Sequence, residues 1–444
     1  MREYQKHLKE ARNLLRQGNA QEAFKTLRPV LRYPGMVGKK NELVEALTTL
    51  ADIGARIVGD EFAAVVRNVV LRPESDQALY RLGYELIEQG LADIAATILA
   101  HAHRLYPGSA DILNELSAAL EHEGLYGEAR TFLRNAPELV TRHFLCCYLL
   151  AFTSLMSGDL ETPQRLLPDL QRLQVQDERF ASVTGRIVSM LRRADALAKP
   201  VPLSSRDLRG WHFVITAGLL LHLSPHGFEE GMNGRYAFVQ DRRDFCLEGI
   251  RKVQSVLEAL HISLPHVFAL PERNSLILAH ACARVLNLPL EHWPAGGSTT
   301  PGLLVAYDLA LLDGDLLSTL AQHRSRQILW QHASCWTEEQ PVAADLCTFL
   351  YQFNTPPWGE VLAVKPGEKT VSRQPADERD PAVIGEEVAS ATLTPESLED
   401  VPTLVNFVQA AAGVSSGDGL ALLRTMGRRE KQWLGSPVPS SHFA

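Results

Sequence analysis

"LIEQGLADIAATIL", residues 86–99, reads as the end of one amphipathic helix, a glycine turn and the start of another. The outline returns as "LLRQGNAQEAFKTL" (14–27), "LEHEGLYGEARTFL" (120–133) and "LMSGDLETPQRLL" (155–167). Gly90, Gly124 and Gly158 are spaced by 34 residues each, and Gly18 leaves room before Gly90 for one more unit, with its turn at Gly59–Asp60. Pro73 and Pro107, also 34 apart, close their units because proline cannot continue a helix interior. Such a period is the mark of stacked helix pairs, none of which buries its apolar face alone.

The unit around Gly90 carries Leu79, Leu82, Gly83, Leu86, Gly90, Ala95, Leu99, Ala102 and Pro107 in order, and the next carries Leu113, Leu116, Leu120, Gly124, Ala129, Leu133 and Ala136. The first holds Ala11, Leu14, Gly18, Ala23 and Leu27; in the fifth, Pro163 stands where the small alanine belongs. On these residues the first half resembles the tetratricopeptide-repeat family. The resemblance implies an all-α solenoid over residues 1–197, whose concave face, lined by the first helix of each pair, receives a protein or peptide partner. Tyr80, Tyr84, Asn114, Glu121, Tyr148 and Phe152 are the expected groove residues, aromatics being enriched among interface anchors. Tyr148 and Phe152 have the alternative of packing on the next helix or on the second domain. The lysine and asparagine set with which some members of the family grip a C-terminal carboxylate is not found at matching positions.

The bulk numbers set the class. The chain has 444 residues, 45% apolar and 22% charged, with net charge -8, as in a globular protein of two or three domains. It is not built to neutralise nucleic-acid phosphates. The first 40 residues hold ten Lys/Arg against three Asp/Glu, but without interleaved aromatics they read as a solvated outer face. Apolar runs such as Phe213 to Leu221 fall short of the roughly twenty residues that span a membrane, and "MREYQKHLKEARNLL" lacks the apolar core of a signal peptide. A cytoplasmic protein of bacterial type is the expectation. The six cysteines (Cys146, Cys147, Cys246, Cys282, Cys335 and Cys347) form no Cys-x-x-Cys pair and read as buried thiols. His101 and His103, and His222 and His226, offer no recognisable ligand spacing; His332 and Cys335 are near enough for a nucleophile pair, but strand alternation would put them on opposite faces, so no metal and no cofactor are expected.

"AKPVPLSS" (198–205) breaks the helical pattern, giving a linker at 198–206. Beyond it strands and helices alternate: strands in "WHFVITAGLLLHL", "HVFALP", "LLVAYDLALL" and "QILWQHAS", and helices in "RDFCLEGIRKVQSVLEALHI", "ERNSLILAHACARVLNL", "LLSTLAQHR" and "EQPVAADLCTFLYQF". This predicts an α/β domain over 207–360 with an open, mostly parallel sheet, whose ligands would sit at the carboxyl ends of the strands. Residues 361–383 read as a linker or mobile loop, 384–434 as a helical extension with helices in "LEDVPTLVNFVQAAAGV" and "GDGLALLRTMGRREKQWL", and 435–444 as a disordered tail. Residues 377–400 carry eight acids and one arginine, suited to docking on the basic first repeat.

In "HVFALPERNSLILAHACARVLNLPL" and "VAYDLALLDGDLLSTL" the α/β half resembles type I phosphoribosyltransferases. The second stretch falls where that family places an apolar strand, two acids and a Thr-Gly-x-Thr phosphate cradle. Here Tyr307 replaces the first acid, leaving Asp308, and Asp313-Gly314-Asp315 replaces the cradle. Carboxylates repel a phosphate that backbone N–H groups and hydroxyls would hold. Asp308, Asp313 and Asp315, with Ser298, Thr299 and Thr300 of the hydroxyl-rich "PAGGSTTPG", are the candidate ligand residues, against a reading of Asp313–Gly314 as a turn and Asp315 as a helix N-cap. The whole points to an adaptor or scaffold with a catalytically silent or ligand-sensing α/β domain. The alternative is a phosphoribosyl- or nucleotide-handling enzyme regulated by its repeats, for which a small phosphorylated ligand is the expected partner.

Overall fold

The computed structural model describes residues 3–175, 178–198, 203–228, 231–364, 371–414 and 419–440. The chain divides into two compact units, Met1–Ile187 and Val188–Ala444.

The first unit is helical. Helices α1 (Glu3–Arg16) and α2 (Ala20–Leu31), α3 (Lys40–Ile57) and α4 (Asp60–Leu71), α5 (Asp76–Glu88) and α6 (Ala92–Leu105), and α7 (Ala110–His122) and α8 (Tyr126–Arg134) form successive pairs. A short α9 (Pro137–Arg142) precedes α10 (Phe144–Met156) and α11 (Glu161–Gln174), and α12 (Ala181–Ala198) contains the division between units. Gly18, Gly59, Gly90, Gly124 and Gly158 make the turns with positive φ, a region glycine enters without steric cost. Ser75 and Ser109 occupy the same place in adjacent units and cap α5 and α7, accepting from the backbone N–H of Ala78 and Ile112 at 3.3 and 3.4 Å. A Cβ on Gly83 would lie 2.5 Å from the Leu99 side chain, so a small residue here lets α5 and α6 approach closely. Ala95, Leu99, Leu116, Leu120 and Ala129 belong to one continuous apolar core.

The second unit opens with α13 (Leu208–Thr216), β1 (Leu219–Leu220), β2 (Tyr236–Gln240), α14 (Arg243–Ala259), β3 (Val267–Ala269), α15 (Arg273–Leu286), β4 (Leu290–His292) and β5 (Gly302–Ala306). It continues through α16 (Gly314–Leu320), β6 (Gln322–Arg324), β7 (Gln327–Cys335), β8 (Leu346–Thr355), β9 (Val361–Val364), β10 (Val371–Gln374), α17 (Pro381–Ala389), α18 (Val401–Ala412) and β11 (Met426–Arg428). The main sheet runs β1-β8-β7-β5-β3-β4, with β2 also paired to β8, and its ladders are parallel. From β3 the chain turns outward to β4, then crosses back to β5 and proceeds to β7 and β8. The topological switch point therefore lies between β3 and β5, where open α/β sheets place their ligands.

Several expectations need correction. "WHFVITAGLLLHL" is the helix α13, capped by Asp207, with a strand only at Leu219–Leu220; every residue of α13 is buried, which erases the helical period. "EQPVAADLCTFLYQF" holds the strand β8, whose first five residues are all buried, so no alternation marks it. The strand β2 was not expected at all. Residues 361–383 are no simple linker: β9 and β10 pair antiparallel, and Arg273 holds the backbone carbonyls of Asp377 and Arg379 at 2.8 and 2.7 Å. In place of the last expected helix, a 3-10 turn at Ala421–Leu423 leads to β11, which pairs antiparallel with β6; residues 417–418 of that stretch lie outside the described residues. The tail at 435–440 is packed, with Val438 buried and Arg235 donating to the Ser436 hydroxyl at 2.7 Å and the Val438 carbonyl at 3.1 Å. Residues 441–444, and 199–202 of the expected linker, are outside the described residues. Of the acids of 377–400, Asp377 and Glu387 are engaged within their own unit by Arg243 and Arg379, and Asp400 by Lys252.

Candidate functional site

At the switch point, β5 ends at Ala306 and delivers Tyr307 and Asp308 to the carboxyl end of the sheet. Asp308 is 3% exposed. Its carboxylate accepts from the Ala310 N–H at 2.9 Å, capping the 3-10 turn Leu309–Leu311, and from the Tyr351 hydroxyl. Burial pushes the Asp308 carboxyl up to about 6, against the opposing pull of those two bonds.

Asp313 and Asp315 are exposed. Asp313 is the N-cap of α16, accepting from the Leu316 N–H at 2.7 Å, and Asp315 sits in the first turn, so the cap falls two residues earlier than expected. Ser298, Thr299 and Thr300 lie elsewhere. Gln327, the first residue of β7, donates to the carbonyls of Ser298 and Thr300 at 2.8 Å each. Those residues thus border the amino ends of the strands, the opposite end of the sheet from Asp308, and the structure does not join the two sets into one site.

What the carboxyl end does bring together is a group the sequence reading missed. Asp241, immediately after β2, is 3% exposed. Its Oδ2 accepts from the Tyr307 hydroxyl at 2.8 Å, from Cys246 Sγ at 3.3 Å, and lies 3.1 Å from His332 Nε2. Its Oδ1 accepts from the Arg242 N–H at 2.7 Å. Four separate segments supply these groups: the end of β2, the first turn of α14, the residue after β5, and β7. Asn354 donates to the Tyr307 hydroxyl at 3.0 Å, and Trp358 stands edge-on to the Tyr307 ring at 5.5 Å. Phe245, Trp330 and Phe349 surround the His332 ring. Burial and the neighbouring Asp241 charge push both the Tyr307 hydroxyl and the Cys246 thiol well above their ordinary values. Only the acid in "VQDRRDFC", between an apolar run and a helix, could have signalled this, and it needed β2 to be seen as a strand.

A second buried polar ladder follows β1. His222 Nδ1 is 2.9 Å from Glu248 Oε1, and its Nε2 is 2.8 Å from the Tyr236 hydroxyl. Lys252, fully buried, pairs with Glu248 at 2.9 Å and with Asp400 at 2.8 Å. Burial lowers the His222 pKa despite Glu248. Such a ladder ties α14 to the residue before α18. The acidic partner of His222 lies 26 residues away along the chain, so no local spacing could announce it. Cys335 is paired with the Thr337 hydroxyl at 3.3 Å and not with His332.

In the helical unit the expected groove residues part company. Tyr148 and Phe152 are 7% and 0% exposed and stack on each other at 5.9 Å, with Phe144 beyond Tyr148. They are core, not groove. Tyr84 is 40% exposed, the Tyr80 hydroxyl donates to Glu115, Asn114 accepts from Cys146 Sγ at 3.2 Å, and Glu121 is half-buried. A cavity of about 470 Å³ between α1, α3 and α4 is lined by Arg12, Arg16, Arg56 and Arg67 together with Asp52. Among the described residues no helix is long and apolar enough to cross a membrane. No family model matches the chain, and no curated protein matches it.

Proposed function

We propose that the helical unit is a tetratricopeptide-like solenoid that binds a protein or peptide partner, and that the α/β unit is its catalytically silent or ligand-sensing companion. The observation that carries this reading is the recurrence of helix pairs turned by positive-φ glycines, with Gly90, Gly124 and Gly158 at a constant spacing. Stacked pairs of this kind leave a continuous concave surface. Tyr80, Tyr84, Asn114 and Glu121, on α5 and α7, the first helices of their pairs, are the residues assigned to it. Silence of the α/β unit is supported at the end of β5. Asp313 is spent as a helix cap, Asp308 is closed off by Tyr351, and both carry the wrong sign for a phosphate.

The test uses the full chain. Proteins enriched by the wild type are compared with those enriched by a Tyr84→Ala/Glu121→Ala variant whose circular dichroism is unchanged. Loss of a specific, saturable partner supports the reading; an identical set of bound proteins removes the groove assignment.

A second reading, a phosphoribosyl- or nucleotide-handling enzyme, is favoured by one observation: a buried carboxyl at the switch point, held near neutrality at about 6. Titration calorimetry with a phosphorylated sugar and magnesium decides it. No heat of binding eliminates the enzyme; magnesium-dependent binding abolished by Asp308→Asn establishes a ligand site.

A further inference from the structure

We infer that Asp241, Cys246 and His332 bind a divalent metal ion of the zinc type, with the Tyr307 hydroxyl beside it, as a staple at the carboxyl end of the sheet. The inference is independent of the partner-binding reading.

Three arguments lead to it. The first is geometry. One ligand atom from each of the three residues lies within 4.8 Å of the other two. Tetrahedral zinc with bonds of about 2.0–2.1 Å to N and O and about 2.3 Å to S sets its donors about 3.3–3.6 Å apart. The Asp241 Oδ2 to Cys246 Sγ and His332 Nε2 separations are 3.3 and 3.1 Å, close to these values, and the Cys246 to His332 separation is within 4.8 Å.

The second is charge. Asp241 is a buried carboxylate whose side-chain partners are a phenol, a thiol and an imidazole; Arg242 reaches it through its backbone N–H, and among the described residues no Lys or Arg side chain is hydrogen-bonded to it. With His332 neutral, this buried carboxylate faces no cation, which is costly. A divalent ion with one carboxylate, one thiolate and one neutral imidazole is electrically balanced. On binding, the Cys246 S–H bond breaks, the sulfur keeps the electron pair for the metal, and the proton leaves to solvent, one per ion.

The third is assembly. Asp241 and Cys246, five residues apart at the end of β2 and in the first turn of α14, meet His332 of β7, 91 residues beyond Asp241, and the His332 ring is enclosed by Phe245, Trp330 and Phe349. Apolar surroundings around a mixed N, O, S donor set select a borderline ion such as zinc over magnesium or calcium. With all three ligands buried, the ion would enter during folding.

The full chain, produced in zinc-supplemented medium, should contain one equivalent of zinc by plasma mass spectrometry after gel filtration. Replacement by cobalt should give an intense thiolate-to-cobalt band in the near ultraviolet. Cys246→Ala should lose the band and at least nine-tenths of the metal, and Asp241→Asn should lose most of the metal. Cys282→Ala, remote from the cluster, should keep both. If Asp241→Asn does not fold, the wild-type stoichiometry and the Cys246→Ala spectrum still decide. Folded wild-type protein that carries no zinc after refolding with zinc present overturns the inference. So does stoichiometric metal retained by Cys246→Ala, or bound cobalt without a thiolate band.

Discussion

In the helical unit the interior is a file of alanines and leucines, and its buried acid, Asp93, reaches out to Arg28, whose side chain is half in solvent. In the α/β unit charges are taken fully inside. Arg429 and Asp345 pair at 2.7 Å with side chains 1% and 0% exposed, and Arg429 also donates to the carbonyls of Leu320, Gln322 and Gln327. Lys252, Glu248 and Asp241 are similarly enclosed. Stacked helix pairs spread their stability over many small apolar contacts, whereas an enclosed ion pair makes distant strands depend on single residues, because an orphaned buried charge is far more costly than an orphaned methyl.

The hardest blow to that contrast is Arg429→Met. It leaves Asp345 buried without its cation, and a loss of about 3–5 kcal/mol is expected in urea unfolding of the full chain. A loss below about 1 kcal/mol would show that the α/β interior does not rely on its ion pairs.

Asp308 gives the next largest effect, and it depends on pH. Its carboxyl titrates at about 6 in the fold against 3.8 as an ordinary carboxyl. The native state therefore holds the proton longer, and the neutral form's advantage is complete below pH 3.8 and is lost as pH rises through 6. Relative to Asp308→Asn, which does not titrate, the wild type should lose about 3 kcal/mol between acid and neutral pH. Chemical denaturation of both proteins across that window measures it; a difference independent of pH contradicts the burial argument.

Gly83→Val probes the other side of the contrast. The new side chain drives into Leu99, with an expected loss of about 1–3 kcal/mol. Hydrogen exchange should show the lost protection in α5 and α6 and leave β7 and β8 unchanged. Equal loss in both units would break the picture of a contact whose effect stays within the helical unit. The smallest effect separates two adjacent acids: Asp313→Ala should cost about 1 kcal/mol as a lost cap, and Asp315→Ala less than about 0.5 kcal/mol, by thermal unfolding.

Part of this molecule was legible in its residues because the determining forces are local. A glycine at Gly90 or Gly124 marks a left-handed turn by its own lack of Cβ, and the Leu–Ala periodicity around it marks the helices that pack within the same unit. The helix α14 was readable for the same reason, since Ile250, Val253, Val256 and Leu257 line one buried face. What only the tertiary structure decided is where burial is complete or partners are remote. Enclosure on every side removes the polar half of the pattern from α13 and β8, so a helix and a strand look alike. Asp308 was marked by sequence as an anomaly, but Tyr351, 43 residues on, determines its role. Asp241 meets His332 across 91 residues only because parallel strands deliver their carboxyl ends to one place. Chain folding sets such long-range encounters, and no local pattern records them.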